Sequence, residues 1–255
     1  MNETYKVQVQ DLVDDLKAVF THAGLGGEAG EYKLLTQSFL YKFLNDKFLY
    51  LAQVLDAGNT YENLLTMSEE DYDWLLEDIG TSTAWLKPDQ LIESLHRQQN
   101  EAIFHEIFEN TLNQIAIDNN DIFSVHTDGD TAIRLFDERL ITDTISDSSK
   151  RNEVVKAIIN LLTRVKFDDT IFSQGFDFFS TLFEYMIKDY NKDGGGKYAE
   201  YYTPHSVAKI IADILVGNDQ PSNVRIYDPS AGSGTLLMNL ASRIGVDKTT
   251  VYSQD

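Results

Sequence analysis

The chain has 255 residues, 42% of them apolar and including 13 Tyr and 14 Phe, a composition that suits a substantial core and excludes a disordered chain. It has no cysteine, which excludes disulfides and thiolate metal sites and fits a reducing cytoplasm. The net charge of −20 lies almost wholly before Gly196, with −19 there against −1 from Gly196 to Asp255, so the larger segment repels a nucleic acid at long range.

The opening MNETYKVQVQDLVDDL lacks the basic start and apolar stretch of a signal peptide. No run approaches the about 18 apolar residues that span a membrane. The sequence up to residue 190 reads as helical. Val7, Leu12, Leu16 and Val19 fall near helical spacing in VQVQDLVDDLKAVF. A glycine-rich loop, GLGGEAG, follows at 24–30. EYKLLTQSFLYKFLNDKFLYLAQVL then predicts a long helix, buried on most sides because Leu, Phe and Tyr are so dense in it. In TMSEEDYDWLLEDIG, Ser68 is the expected N-cap, with Asp71 three residues on and a stop at Gly80, so the acids near residue 70 open a helix rather than bind a metal. LKPDQLIESLHRQQNEAIFHEIFENTLNQI predicts one helix starting near Pro88. NEVVKAIINLLTRV and FDFFSTLFEYMIKDY predict two more, both amphipathic. The five histidines show no metal-ligand spacing.

NKDGGGKYAEYYTP, 191–204, marks the expected boundary, because three consecutive glycines make a flexible connection. Beyond it the pattern changes. TPHSVAKIIADIL predicts a helix with Thr203 as N-cap and Pro204 in its first turn, and Val207, Ile210, Ile211, Ile214 and Leu215 as one apolar stripe. VRIYD is a strand, followed by the small-residue loop PSAGSG and a helix carrying Leu236, Leu237, Leu240 and Ile244. A turn at GVDK leads to a second strand, TTVYSQD. Helix, strand, glycine loop, helix and strand are the opening of an α/β sheet domain.

A glycine loop between a strand end and a helix lets backbone N–H groups approach a ligand, and the helix N-terminus adds partial positive charge. An acid about 20 residues on, ending the next strand, can accept from ribose hydroxyls, and Asp255 has that position. The dinucleotide fingerprint requires a third glycine, but Leu237 stands there, and no Walker A lysine follows. Asp228, just before the loop, would repel a pyrophosphate and suits a ligand with a cationic centre or an amino group. S-adenosylmethionine has both. The bland reading of the same loop is a tight turn with close helix–strand packing.

YDPSAGSGTLL, preceded by GGKYAEYYTPHSVAKIIADIL, resembles the modification (methyltransferase) subunit of type I restriction-modification systems, which are adenine-N6 DNA methyltransferases. VDDLKAVFTHAGLGGEAGEYKLLTQSFLYKFLNDKF resembles that family's helical N-terminal domain, and FDFFSTLFEYMIKDYNKDGGGKYAEYYTP its approach to the cofactor site. The resemblance implies a mainly helical domain over 1–190 and, over 191–255, the incomplete start of an α/β, Rossmann-like methyltransferase domain. It implies that Glu200, Tyr201, Tyr202, Thr203, Pro204 and His205 lie against the methionine part of S-adenosylmethionine. Asp228, Ala231, Gly232, Ser233, Gly234 and Thr235 would form the loop contacts, and Asp255 would bind ribose. The partners implied are a DNA-specificity subunit, a restriction subunit, double-stranded DNA held mainly through the specificity subunit, and a second copy of the chain, in the cytoplasm.

The family's chemistry resides in a later Asn-Pro-Pro-Phe type motif that holds a flipped-out adenine. The prolines here, Pro88, Pro204, Pro221 and Pro229, are never adjacent, so that motif is absent and no catalytic residue is assigned. The chain is therefore expected to be a truncated portion, inactive alone, with its two strands poorly ordered or shielded by a partner. The alternative is a non-catalytic helical interaction module with a vestigial cofactor loop.

Overall fold

The computed structural model describes residues 3–26, 29–123, 125–126, 132–172, 203–219 and 221–254. The chain divides into two compact units, Glu3–Phe172 and one that includes Ser173–Asp255. The expected boundary at 190/191 and the expected helix FDFFSTLFEYMIKDY lie outside the described residues.

Helices dominate the first unit: α1 (Glu3–Ala23), α2 (Ala29–Leu55), α3 (Tyr61–Leu64), α4 (Glu69–Ile79), α5 (Ile92–Gln98), α6 (Phe104–Asp118), α7 (Asn120–Phe123), α8 (Leu140–Thr144), α9 (Ser148–Leu162) and α10 (Asp169–Phe172). A small antiparallel pair, β1 (Val125–His126) and β2 (Ala132–Ile133), interrupts them. α1 buries Val9, Leu12, Val13, Leu16 and Phe20, a cleaner 3–4 spacing than the expected set, in which Val7 is exposed. This stripe packs on α9.

The long helix α2 is the spine of the unit, as its aromatic density predicts. It buries Leu34, Leu35, Phe39, Tyr41, Leu44, Phe48 and Ala52, and also the polar Ser38, Lys42, Asn45 and Asp46. Buried polar groups need partners, and most of these have them. Lys42 Nζ lies 2.8 Å from Asp46 Oδ2, which also accepts from the Phe167 N–H at 2.7 Å. Asn45 donates to Asp46 and accepts from the Ile92 N–H. One helical turn of α2 thus fixes the start of α5 and the segment before α10.

Ser68 caps α4 as expected, accepting from the Asp71 N–H, and the helix ends at Gly80, whose φ of 59° favours glycine. The single helix expected from Pro88 is instead three pieces. A short 3-10 turn at Pro88–Gln90 precedes α5, and a break at 99–103 separates α5 from α6. The break is held from outside: Asn152 of α9 accepts from the His105 N–H at 2.8 Å and donates to the Ala102 carbonyl. Among the described residues no helix is long and apolar enough to cross a membrane.

In the second unit, α11 (His205–Val216), β3 (Val224–Asp228), α12 (Thr235–Ile244) and β4 (Thr249–Ser253) follow in the predicted order. β3 and β4 pair in parallel, Val224 opposite Thr249 through Asp228 opposite Ser253. Parallel strands require a crossover, and α12 provides it. Ile226, Leu237 and Ala241 form the small core between strand and helix. α11 packs on α12, but not through its apolar stripe. The stripe Val207, Ile210, Ile211, Ile214 and Leu215 is exposed, while Ala208, Ala212 and Val216 are buried. Small side chains let two helix backbones approach, so the alanine face packs inward. α11 also begins one residue later than expected, with Pro204 rather than Thr203 as its N-cap. The ψ of 135° keeps Pro204 outside the helix, while its carbonyl accepts from the Val207 and Ala208 N–H groups.

Candidate cofactor-binding loop

The site is built from β3 outward. Ile226 anchors the strand in the core, and the alternation of a strand leaves Tyr227 exposed and Asp228 half-buried at the carboxyl end. The chain must then turn into α12 within six residues. Asp228 starts the turn, its Oδ1 accepting from the Ser230 N–H at 2.9 Å. Ala231 closes it, its carbonyl accepting from the Gly234 N–H at 2.8 Å. Gly232 and Gly234 have φ of 52° and 71°, a left-handed conformation that strains any residue with a Cβ. Gly234 is the N-cap of α12. The Ser233 and Thr235 hydroxyls lie 2.8 Å apart, and Thr235 is buried in the first turn.

Geometry and chemistry agree on what the loop can accept. From Ser230 to Gly234 no side chain exceeds a hydroxymethyl group, so a ligand can reach the backbone. A Cβ built on Gly234 meets nothing within 4 Å, so space lies open there. The first-turn N–H groups of a helix have no intrahelical partner and face outward. Asp228 sets a carboxylate at the start of the same turn, which favours a ligand bearing an ammonium or sulfonium centre over a phosphate. These features fit the amino-acid end of S-adenosylmethionine.

The structure brings Asp228, Ala231, Gly232, Ser233, Gly234 and Thr235 together on one turn. Thr203, Pro204 and His205 stand at the start of α11 in the same unit. Glu200, Tyr201, Tyr202 and Asp255 lie outside the described residues. Two residues escaped the sequence reading. Gln254 donates its N–H to the Asp228 carbonyl and accepts from the Ala231 N–H, and its side chain accepts from the Tyr227 hydroxyl. No local signal marks them, since the Tyr227–Gln254 bond joins positions 27 apart and the two backbone bonds are nearly as long-range. Among the described residues no group of three or more His, Asp or Glu could hold a metal ion.

Residues 174–254 match the model of the N-6 DNA Methylase family. The chain is 23% identical to the type I restriction enzyme MpnII methylase subunit of Mycoplasma pneumoniae, over 96% of this chain and 45% of that protein. It is 25% identical to the MjaIX methylase subunit of Methanocaldococcus jannaschii, over 49% of this chain and 24% of that one. The HindI methylase subunit of Haemophilus influenzae shares 22% identity over 46% of this chain and 32% of its own. The solved type I restriction-modification methyltransferase subunit of Streptococcus thermophilus shares the fold, with a TM-score of 0.67 at 21% identity, over 97% of this chain and 52% of that one. The chain spans less than half the length of the curated relatives it matches. The resemblance to type I modification subunits, drawn from YDPSAGSGTLL and the helical N-terminal stretch, is borne out by the family model, the relatives and the fold.

Proposed function

We propose that this chain is the cofactor-loop portion of an adenine-N6 DNA methyltransferase of the type I modification class, with S-adenosylmethionine as methyl donor. The observation that carries the reading is the strand-to-helix turn at Asp228–Thr235, with two left-handed glycines, open space beside Gly234 and a carboxylate at its start. When bound, the cofactor supplies an electrophilic methyl on a sulfonium centre. The Asp228 carboxylate would orient the amino end, and the first-turn N–H groups of α12 its carboxylate. Thr203, Pro204 and His205, with Glu200, Tyr201 and Tyr202 ahead of them, would flank the methionine part, and Asp255 would accept from the ribose hydroxyls.

No Asn-Pro-Pro or Asp-Pro-Pro before an aromatic occurs in these 255 residues. Methyl transfer is therefore not carried out by this chain by itself. The charge argues the same division of labour: a segment of net −19 is a poor source of affinity for DNA, most of which falls to a specificity subunit, with a restriction subunit in the cleaving complex and a second copy of this chain beside them. Such a complex acts in the cytoplasm. The test is equilibrium dialysis of the chain against radiolabelled S-adenosylmethionine. Binding is expected, weakened about 10-fold or more by Asp228→Ala, which removes a charge-assisted contact. A folded chain that retains no label sinks the reading. That outcome would favour the second one, a helical assembly module, which the self-contained core of residues 3–172 supports.

A further inference from the structure

We propose that Tyr227 and Gln254 form a clasp that sets the conformation of the glycine loop, and that both are positioning residues for the adenosyl ligand; the second half rests on the cofactor reading above. Gln254 stands one residue beyond the last paired residue of β4, where a strand end ordinarily frays. Yet its N–H, its carbonyl and its side-chain oxygen are all engaged on the β3 side. The N–H donates to the Asp228 carbonyl at 3.0 Å, and the carbonyl accepts from the Ala231 N–H at 2.9 Å. Its Oε1 accepts from the Tyr227 hydroxyl at 2.9 Å.

The two backbone bonds close a ring between the last residue of β3, the loop and the end of β4. They form with any side chain at 254, but nothing buried holds that residue in place, since Gln254 is exposed. The side-chain bond provides the hold. Tyr227 lies opposite Tyr252 in the ladder, and residues 252 and 254 share a face by the two-residue period of a strand. The Tyr227 hydroxyl therefore reaches along that face to Gln254. From there the constraint passes inward: Gln254 holds the Ala231 amide, and the Ala231 carbonyl holds the Gly234 amide at the helix N-cap. A loop that sets the position of a helix N-terminus must be ordered on binding unless it is ordered beforehand, and prior order appears as affinity.

The experiment uses the 255-residue chain with Tyr227→Phe, Gln254→Leu, the two together, and Gln254→Glu, which keeps an oxygen acceptor. Two quantities are read: exchange of the Ala231 amide by NMR without ligand, and the Kd for S-adenosylmethionine by equilibrium dialysis. Both single variants should speed the exchange and raise Kd about 3- to 10-fold, with the double variant no worse than either and Gln254→Glu close to the parent. Unchanged exchange, or losses that simply add, overturns the clasp. Faster exchange with an unchanged Kd leaves a clasp without a positioning role and overturns the proposal. Faster exchange in a chain that binds no S-adenosylmethionine even unmutated overturns the cofactor reading, and the positioning role with it, while the clasp itself stands.

Discussion

Asp118 shows how one side chain joins distant segments of the helical unit. Its Oδ2 accepts from Lys87 at 3.0 Å and Gln90 at 3.2 Å, and its Oδ1 from Gln114 at 2.7 Å. Partial burial works to raise its pKa, but the hydrogen bonds from Lys87, Gln114 and Gln90 outweigh it and hold the carboxyl below its ordinary value. A depressed folded-state pKa means that the unfolded chain binds more protons in the window between the two values. The stability Asp118 contributes is therefore full above the unfolded value and is lost as pH falls through the folded one. Asp118→Asn is expected to lower the urea midpoint near neutral pH, with the difference from the parent closing under acid conditions. A gap that stays constant from neutral to acid pH would show that the ionised carboxylate is not what Lys87 and the two glutamines hold.

The five-residue helix α8 illustrates the scale of elements, because it is far too short to be stable by itself. Its two ends are satisfied by other helices. Glu109 of α6 accepts from the Ile141 and Thr142 N–H groups at 2.7 and 2.9 Å and from the Thr142 hydroxyl at 2.6 Å. Arg151 of α9 donates to the Thr142 and Ile145 carbonyls at the other end. Glu109→Ala leaves three donors without their acceptor, and a loss of roughly 1–3 kcal/mol in urea unfolding is expected. Glu109→Gln, which keeps a carbonyl oxygen, should lose less; equal losses in the two variants would assign the effect to packing. The same contrast explains what could be read from the sequence. β3, the glycine turn and α12 are legible because an apolar run, an Asp-Pro and two glycines are local signals that decide local geometry. α4 is legible for the same reason, through Ser68 and Gly80. The break between α5 and α6 is not, because Asn152 enforces it from 47 residues away. Nor is the inward face of α11. Hydropathy points to Ile210 and Ile214, whereas the packing of two helices is decided by Ala208 and Ala212. In the candidate site the glycine turn could be read, and the Gln254 bracket could not.

For the whole molecule, the two units differ in how much holds them. Residues 3–172 enclose Phe20, Tyr41, Phe48, Phe104, Phe108, Phe136 and Phe167, all almost fully buried. Their beginning and end are also tied together. α1 packs on α9, Arg164 pairs with Asp15 at 3.4 Å, and the Tyr50 hydroxyl donates to Asp169 at 2.9 Å. The core of the described part of the second unit, by contrast, is Ile226, Leu237 and Ala241, with Ala208, Ala212 and Val216 between its helices. Ile214 and Leu215 meanwhile stay 74% and 66% exposed. A chain of fewer than about 60 residues buries too little surface to offset its conformational entropy comfortably. A fragment of residues 3–172 should therefore keep its helical circular dichroism and unfold in one cooperative urea transition. Residues 203–255 alone should show no such transition, because the apolar face of α11 remains in water and the parallel pair β3–β4 has one crossover helix to support it. Cooperative unfolding of the shorter fragment would mean that the β3–α12–β4 turn needs nothing outside itself. The glycine loop would then be a self-sufficient unit rather than one that draws its order from the rest of its domain.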